Sequence, residues 1–163
     1  MPMQAQYLGM SLGLDDLERE NLAYFKYCKE HDFHLQACAN CRLLRYPPTT
    51  ACPWCMAREA TWVPVEGKGT VHSYTEVHHA IQPAFKGHTP YLVLLVDLDR
   101  QLGMPTEHEA LRVVGNLTTP DGKRRHTYDY GEGGCRQVKG CEVTANLGWA
   151  MPGTGSAMVM RRG

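Results

Sequence analysis

The sequence predicts a mainly β protein that contains one helix, a cysteine-rich ribbon and a small barrel of five strands. Three observations support this prediction: apolar residues at helical spacing near the start, two close cysteine pairs after them, and then four segments rich in Val, Thr, Tyr and Leu followed by a short last one. A chain of 163 residues can bury a usable core. We therefore predict a helical segment at residues 1–35, a ribbon at 36–64 and a barrel at 65–163.

The first predicted element is an amphipathic helix over residues 14–29. One helical stripe collects the apolar residues Leu14, Leu17, Tyr24, Phe25 and Cys28. Acidic residues occupy the first turn. The apolar stripe needs a partner. We expect the rest of this chain to cover it, and another protein is the alternative.

The second element is defined by Cys38, Cys41, Cys52 and Cys55, which form two C-x2-C pairs separated by ten residues. A two-residue spacing lets a tight turn bring both sulfurs to one side, and two facing turns complete a tetrahedron of thiolates around zinc. Such a site is closed to substrate, so we predict a structural zinc ion in a ribbon made of a pair of short hairpins. Mononuclear iron in the same cage and two redox-active cysteine pairs are the alternatives.

The third element is the barrel, whose strands are separated by turns rich in Gly, Pro and Asp. About five strands fit a small barrel, and the oligonucleotide/oligosaccharide-binding (OB) fold is among the forms that this number allows. The strands are predicted at residues 69–81, 91–99, 110–118, 141–147 and 157–161.

Composition excludes several functional classes. Seventeen Lys and Arg balance seventeen Asp and Glu, so the chain lacks an overall cationic field for phosphates. The longest apolar run, residues 91–96, is far shorter than the roughly 20 residues that cross a bilayer. The first 14 residues contain no Lys or Arg and do not form a secretory signal. We expect a cytoplasmic protein, and a reducing compartment favours metal-binding thiolates over disulfides.

Several motifs in one order carry a family resemblance. They are the two cysteine pairs, the helix before them and the sequences YPP at 46–48, WVPV at 62–65, GKGTV at 67–71, SYT at 73–75 and PY at 90–91. Residues 17–99 thus resemble a family that joins a rubredoxin-like zinc ribbon to an OB-fold barrel and was long described only as a domain of unknown function. The similarity weakens beyond residue 99, where residues 100–109 are inserted, and residues 148–155 do not fit the usual ending of the family.

The resemblance implies a non-catalytic accessory subunit in a hetero-oligomer. Members of this family accompany acyl-CoA enzymes, so the implied role is to dock on a thiolase-like enzyme (a thiolase, aldolase or acyltransferase) and to help form or close its acyl-CoA site. The nucleophilic cysteine would then belong to the partner. A partnership with an acyl-CoA hydratase is an alternative within the same family.

Three further hypotheses concern one contact loop and two competing functions. The loop of residues 82–88 carries Phe85, expected to be exposed, and the cation of Lys86, and these two residues with His79 are candidates for contact with acyl-CoA or a partner; simple loop packing is the alternative. A single-stranded nucleic-acid-binding barrel is a competing function, opposed by the zero net charge. A complete small enzyme acting through the acids and histidine of residues 107–109 is a third hypothesis.

Overall fold

The computed structural model describes residues 3–7, 9–14, 19–118, 142–146 and 157–160. Their secondary structure is mainly β, as the sequence predicts, and the segment at 148–155 lies outside the described residues. The elements are β1 (Met3–Tyr7), β2 (Met10–Leu14), α1 (Arg19–Lys29), β3 (His34–Cys38), β4 (Leu44–Arg45), β5 (Ala60–Pro64), β6 (Lys68–Val77), β7 (Tyr91–Leu98), β8 (Arg112–Thr118), β9 (Glu142–Asn146) and β10 (Ala157–Met160), with two short 3-10 helices at Pro83–His88 and Asp99–Gln101.

The start of the chain differs from the predicted helical segment. Strands β1 and β2 form an antiparallel hairpin, and the described helix begins at Arg19. Gly9 lies in the turn with φ of 78°, a left-handed conformation that glycine adopts without steric cost. Leu12 and Leu14 alternate with small residues at the period of a strand, and assigning Leu14 to the helical stripe concealed this alternation.

The ribbon is a single three-stranded antiparallel sheet in the order β4-β3-β5. Strand β3 is central, with Ala37 opposite Leu44 on one side and Thr61 on the other. The sequence predicts a pair of short hairpins here, whereas both outer strands share β3, so the two cysteine turns belong to one continuous sheet.

The barrel is closed, in the order β10-β8-β7-β6-β9, and β9 returns to pair with both β6 and β10. Strands β8 and β10 are parallel and the other pairs are antiparallel. All five strands lie within the predicted segments or within one residue of them. Five strands closed in this order form an OB barrel. The alternation is clearest in β7, where every second side chain is buried: Leu92, Leu94, Val96 and Leu98.

One apolar core joins the helix, the ribbon and the barrel. Tyr24 of α1 packs edge-on against the ring of Tyr46, with 5.9 Å between the ring centroids. Phe25 and Cys28 also pack against this core, so the expectation that this chain covers the apolar stripe is confirmed for its described helical members, whereas Leu17 lies outside the described residues. The buried members of the core are Tyr24, Phe33, Leu35, Leu44, Val65, Val71, Leu92, Leu94, Val96, Leu98, Leu111, Val113 and Leu117.

A polar contact also connects the ribbon to the barrel. Gln101, which follows β7 and is 2% exposed, accepts a hydrogen bond from the backbone N–H of Leu44 at 2.6 Å and donates one to the Leu44 carbonyl at 3.4 Å. Its side-chain amide thus pairs with the outer edge of β4 much as another strand would. The backbone N–H of Val65 adds a second bond at the junction by donating to the Phe33 carbonyl at 2.8 Å.

Candidate metal centre

The first cysteine turn follows directly from β3. The N–H of Cys38 donates to the Leu43 carbonyl at 2.9 Å, and the N–H of Arg42 donates back to the Cys38 carbonyl at 3.1 Å. Arg42 has φ of 65°, in the left-handed region that non-glycine residues seldom occupy. This conformation reverses the chain immediately after Cys41, so both sulfurs remain on the same side of the turn.

The second cysteine turn repeats these features. The N–H of Cys52 donates to the Ala57 carbonyl at 2.8 Å, and the N–H of Met56 donates to the Cys52 carbonyl at 2.9 Å. Met56 has φ of 62° and stands immediately after Cys55, as Arg42 does after the first pair. The two turns are therefore equivalent knuckles that face each other.

The four sulfurs converge. The Sγ atoms of Cys38 and Cys55 are 3.5 Å apart, as are those of Cys41 and Cys52, and all four lie within 4.8 Å of one another. A tetrahedral zinc ion with Zn–S bonds of about 2.3 Å would separate its sulfurs by about 3.8 Å. The donor set and its spacing therefore fit a four-coordinate metal ion.

Hydrogen bonds and burial shift the pKa values of two of these thiols in opposite directions. The side chain of Asn40 and the backbone of Ala57 donate hydrogen bonds to the sulfur of Cys55 and lower its pKa to about 6. At Cys41 the Leu43 backbone bond lowers the pKa, but desolvation and the neighbouring sulfurs outweigh it and raise the pKa to about 12. Without a cation the cage cannot hold four thiolates together, so metal binding must release protons.

The predicted contact residues lie on the loop between β6 and β7. His79 and Lys86 are exposed, whereas Phe85 is half-buried, with its ring centroid 6.2 Å from that of Tyr91. The expectation of an exposed Phe85 is therefore wrong, because the 3-10 helix at Pro83–His88 turns the ring back onto the first residue of β7.

Glu107 and His108 lie on an exposed turn, and Glu109 beside them is half-buried. His108 Nε2 is 3.2 Å from Glu107 Oε1, and their side chains are 87% and 83% exposed. Glu109 accepts a hydrogen bond from the Thr106 hydroxyl at 2.8 Å. Ion pairs at this exposure are strongly screened, so the turn offers no water-excluded place for acid-base chemistry.

An ion-pair cluster on the outer face of the barrel was not predicted. Asp97 Oδ2 is 3.0 Å from His72 Nδ1, and Asp97 Oδ1 is 2.8 Å from Arg112 Nε. The three residues come from β6, β7 and β8 and meet only through strand pairing. The outward position of Asp97 in the alternation of β7 is the only sequence signal that could have indicated it.

No helix among the described residues is long and apolar enough to cross a membrane.

The barrel resembles a domain of known proteins. Residues 62–127 match the family model for the C-terminal OB-fold domain of ChsH2. A protein of Thermomonospora curvata, described as a probable enoyl-CoA hydratase alpha subunit, is 32% identical over 120 residues, which are 64% of this chain and 37% of that relative. A DUF35 domain-containing scaffold protein of Methanocaldococcus jannaschii is 32% identical over 81 residues, 49% of this chain and 50% of the relative. The chain thus spans between a third and a half of these relatives.

Two solved structures share the fold more completely. A chain of the Ltp2–ChsH2(DUF35) aldolase superposes with a TM-score of 0.62 at 29% identity, and the match covers 91% of this chain and 98% of the other. A DUF35 protein of unknown function from Sulfolobus solfataricus gives a TM-score of 0.52 at 13% identity, with 88% and 87% covered. The second similarity concerns the fold alone.

Proposed function

We propose that this chain, whose residues 62–127 match the model of the ChsH2 C-terminal OB-fold domain in agreement with the resemblance in its sequence, is an accessory subunit of an acyl-CoA-processing enzyme. The observation that carries the proposal is the match, over nearly the whole of both chains, to a chain of the Ltp2–ChsH2(DUF35) aldolase. In this role the chain docks on a thiolase-like partner (a thiolase, aldolase or acyltransferase) and helps to form or close the acyl-CoA site.

The metal centre supports a docking role over a catalytic one. Four thiolates fill a tetrahedral coordination sphere, so an ion bound there has no position for substrate. We propose that the ion is zinc, held by Cys38, Cys41, Cys52 and Cys55, and that it fixes the ribbon against the helix and the barrel. Bound zinc would supply cross-linking and no chemistry of its own, and the reacting nucleophile would belong to the partner. A reducing cytoplasmic location would keep these thiols available.

The direct test is coexpression with the neighbouring open reading frames, followed by affinity capture, mass spectrometry and assay of the captured complex with acyl-CoA thioesters. We expect one stable partner of the thiolase-like class, and activity that requires both chains. The proposal fails if this chain alone turns over an acyl-CoA thioester at an enzymatic rate. Salt-sensitive micromolar binding to single-stranded nucleic acid would favour the competing function of the OB barrel instead.

A hydratase partner is the second candidate. It is favoured by the 32% identity to the protein described as a probable enoyl-CoA hydratase alpha subunit. The two candidates predict different reactions of the captured complex. A hydratase complex adds water to an enoyl-CoA, which removes the absorbance of the conjugated thioester, whereas an aldolase complex breaks or makes a carbon–carbon bond. Product analysis by mass spectrometry therefore distinguishes them.

We further propose that the loop carrying His79, Phe85 and Lys86 contacts the partner or the acyl-CoA. Residues 78–90 contain no Asp or Glu, and Lys86 is exposed, which suits a neighbouring phosphate or carboxylate. We expect Lys86→Ala to weaken capture of the partner or to raise the KM for acyl-CoA. Lys26→Ala, an exposed lysine on α1, serves as the matched control. Equal behaviour of the two variants would remove this loop from the proposed contact.

A further inference from the structure

The ribbon contains a buried guanidinium. Arg45 of β4 is 1% exposed and is the one charged side chain among the buried residues of the described part of the chain. Its Nη1 donates to the Thr49 carbonyl at 3.2 Å, and its Nη2 donates to the Glu59 carbonyl at 3.3 Å. Its Nε is buried and meets no acceptor among the described residues. Within the same residues no carboxylate forms an ion pair with it, and both of its hydrogen bonds go to neutral carbonyl groups.

The two acceptors of Arg45 bracket the second knuckle. Thr49 precedes and Glu59 follows residues 50–58, the loop that contains Cys52 and Cys55. By binding both carbonyls, the planar guanidinium fastens the two ends of this loop together at its base. A rigid fork suits this task better than a flexible ammonium, because less freedom is lost per hydrogen bond.

The same contacts connect the two knuckles. The Glu59 carbonyl that accepts from Arg45 also accepts from the N–H of Ala39, the residue after Cys38, at 3.0 Å. On the other side of the loop, Gln36 of β3 accepts a hydrogen bond from the N–H of Thr49 at 2.9 Å. Arg45 and Gln36 therefore hold the base of the second knuckle at a fixed distance from the strand that presents the first.

The charge of Arg45 complements that of a loaded cage. Four thiolates around a divalent ion carry a net charge of −2, and a buried cation without a carboxylate partner is costly to retain unless an anion lies near. The tetrathiolate centre is the anion that the ribbon itself would provide. Resting on the proposed metal centre, we propose that Arg45 is its positioning residue, which fixes the second knuckle and places a buried positive charge in the same ribbon as the loaded centre.

The test compares zinc-loaded chains and measures how fast zinc leaves in excess chelator. Residues around a metal ligand set commonly change metal affinity by about 10–100-fold, so we expect Arg45→Met to release zinc about 10–100-fold faster than the unaltered chain. Arg58→Met is the matched control, since Arg58 lies on the same loop but is exposed. We expect it to change the rate less than about twofold, because exposed charges are screened by solvent.

A cobalt-substituted sample separates positioning from general stability. Tetrathiolate Co²⁺ has sulfur-to-metal charge-transfer and visible bands that respond to the geometry and charge around the sulfurs. We expect these bands to shift in Arg45→Met and to stay unchanged in Arg58→Met. If Arg45→Met does not fold, Arg45→Lys decides: Lys keeps the charge but cannot span both carbonyls, so we expect release about three- to tenfold faster than normal.

Two results would overturn the inference. The first is zinc release from Arg45→Met within twofold of the normal rate, with Arg45→Lys taking its place where the Met variant cannot be made. The second is cobalt bands that do not move in the same variant. Failure of the proposed function looks different. If the unaltered chain contains no metal, the structural zinc falls and this inference falls with it. If it contains zinc but captures no acyl-CoA enzyme, the accessory role fails and the role of Arg45 stands or falls on the release rates alone.

Discussion

Replacing Gln101 by Leu tests whether the ribbon and the barrel behave as one folded unit. Glutamine and leucine side chains are similar in size, so the substitution removes the hydrogen bonds to Leu44 with little change in volume. Gln101 and Leu44 are both buried, and water cannot readily reach the freed backbone groups of Leu44. The change is expected to destabilise the junction without touching any of the four cysteines.

The magnitude follows from the two distances. Losing the 2.6 Å bond leaves the N–H of Leu44 unsatisfied, at a cost of about 2 kcal/mol within the usual range for a buried polar group. The bond to the carbonyl is long, at 3.4 Å, and its loss costs about 1 kcal/mol. Burying an apolar group in place of an amide returns roughly 1 kcal/mol. We therefore expect the free energy of unfolding to fall by about 2 kcal/mol.

Urea unfolding of the zinc-loaded chain measures this loss. With a slope of about 2 kcal/mol per molar urea, the midpoint should fall by about 1 M. Gln82→Leu, at an exposed position before the 3-10 helix, is the control and should move the midpoint by less than about 0.2 M because surface substitutions have small effects. A Gln101→Leu midpoint no lower than that of the control would refute the claim that this side chain joins the ribbon to the barrel.

Three other outcomes are expected. Gly69→Ala should lower the free energy of unfolding by about 1–3 kcal/mol, because the new methyl group would press against the Asp97 carbonyl. The methyl group of the control, Gly87→Ala, would point into open space, so this variant should stay within about 0.5 kcal/mol of the unaltered chain in the same urea assay. Cys38→Ser should remove bound zinc and impair folding at the same time. The control Cys28→Ser changes a cysteine outside the cage and should retain one zinc per chain by elemental analysis. Equal zinc contents of the two variants would contradict the assignment. Burial raises the pKa of Cys28 from about 9 to about 11, so the unfolded chain loses the thiol proton at lower pH than the folded chain, and the free energy of unfolding should decline as pH rises from 9 to 11. Cys28→Ala should flatten that part of the pH profile of stability. An unchanged slope would show that the thiol does not contribute.

The sequence was most informative where the signal is local. The spacing of Cys38, Cys41, Cys52 and Cys55 predicts the convergence of their sulfurs because each pair lies within one turn. The barrel strands were predicted within a few residues since their alternation and turn residues are properties of short segments. The family resemblance then supplied the order in which these strands close.

Contacts between distant positions could not be predicted in the same way. Gln101 and Leu44 are 57 residues apart, and nothing in either segment indicates that the side-chain amide will cover the edge of β4. Arg45 follows a leucine in a short, unremarkable stretch, and a charged residue there would ordinarily be placed on the surface. The exposed fraction of Phe85 depends on the 3-10 helix that turns its ring toward Tyr91.

These long-range contacts give the metal centre its connection to the barrel. The knuckles are fastened to β3 and β4 through Arg45 and Gln36, and β4 is fastened to the barrel through Gln101. The order of attachment implies an order of effects. Loss of the metal should loosen the second knuckle first, and β4 with Gln101 is one route by which the change reaches the barrel, beside the Val65–Phe33 bond and the shared apolar core. Gln101→Leu should therefore weaken the effect of zinc removal on the barrel without abolishing it. Hydrogen exchange of the β7 and β8 amides, with and without zinc, should respond less in Gln101→Leu than in the unaltered chain, and an equal response would contradict this route.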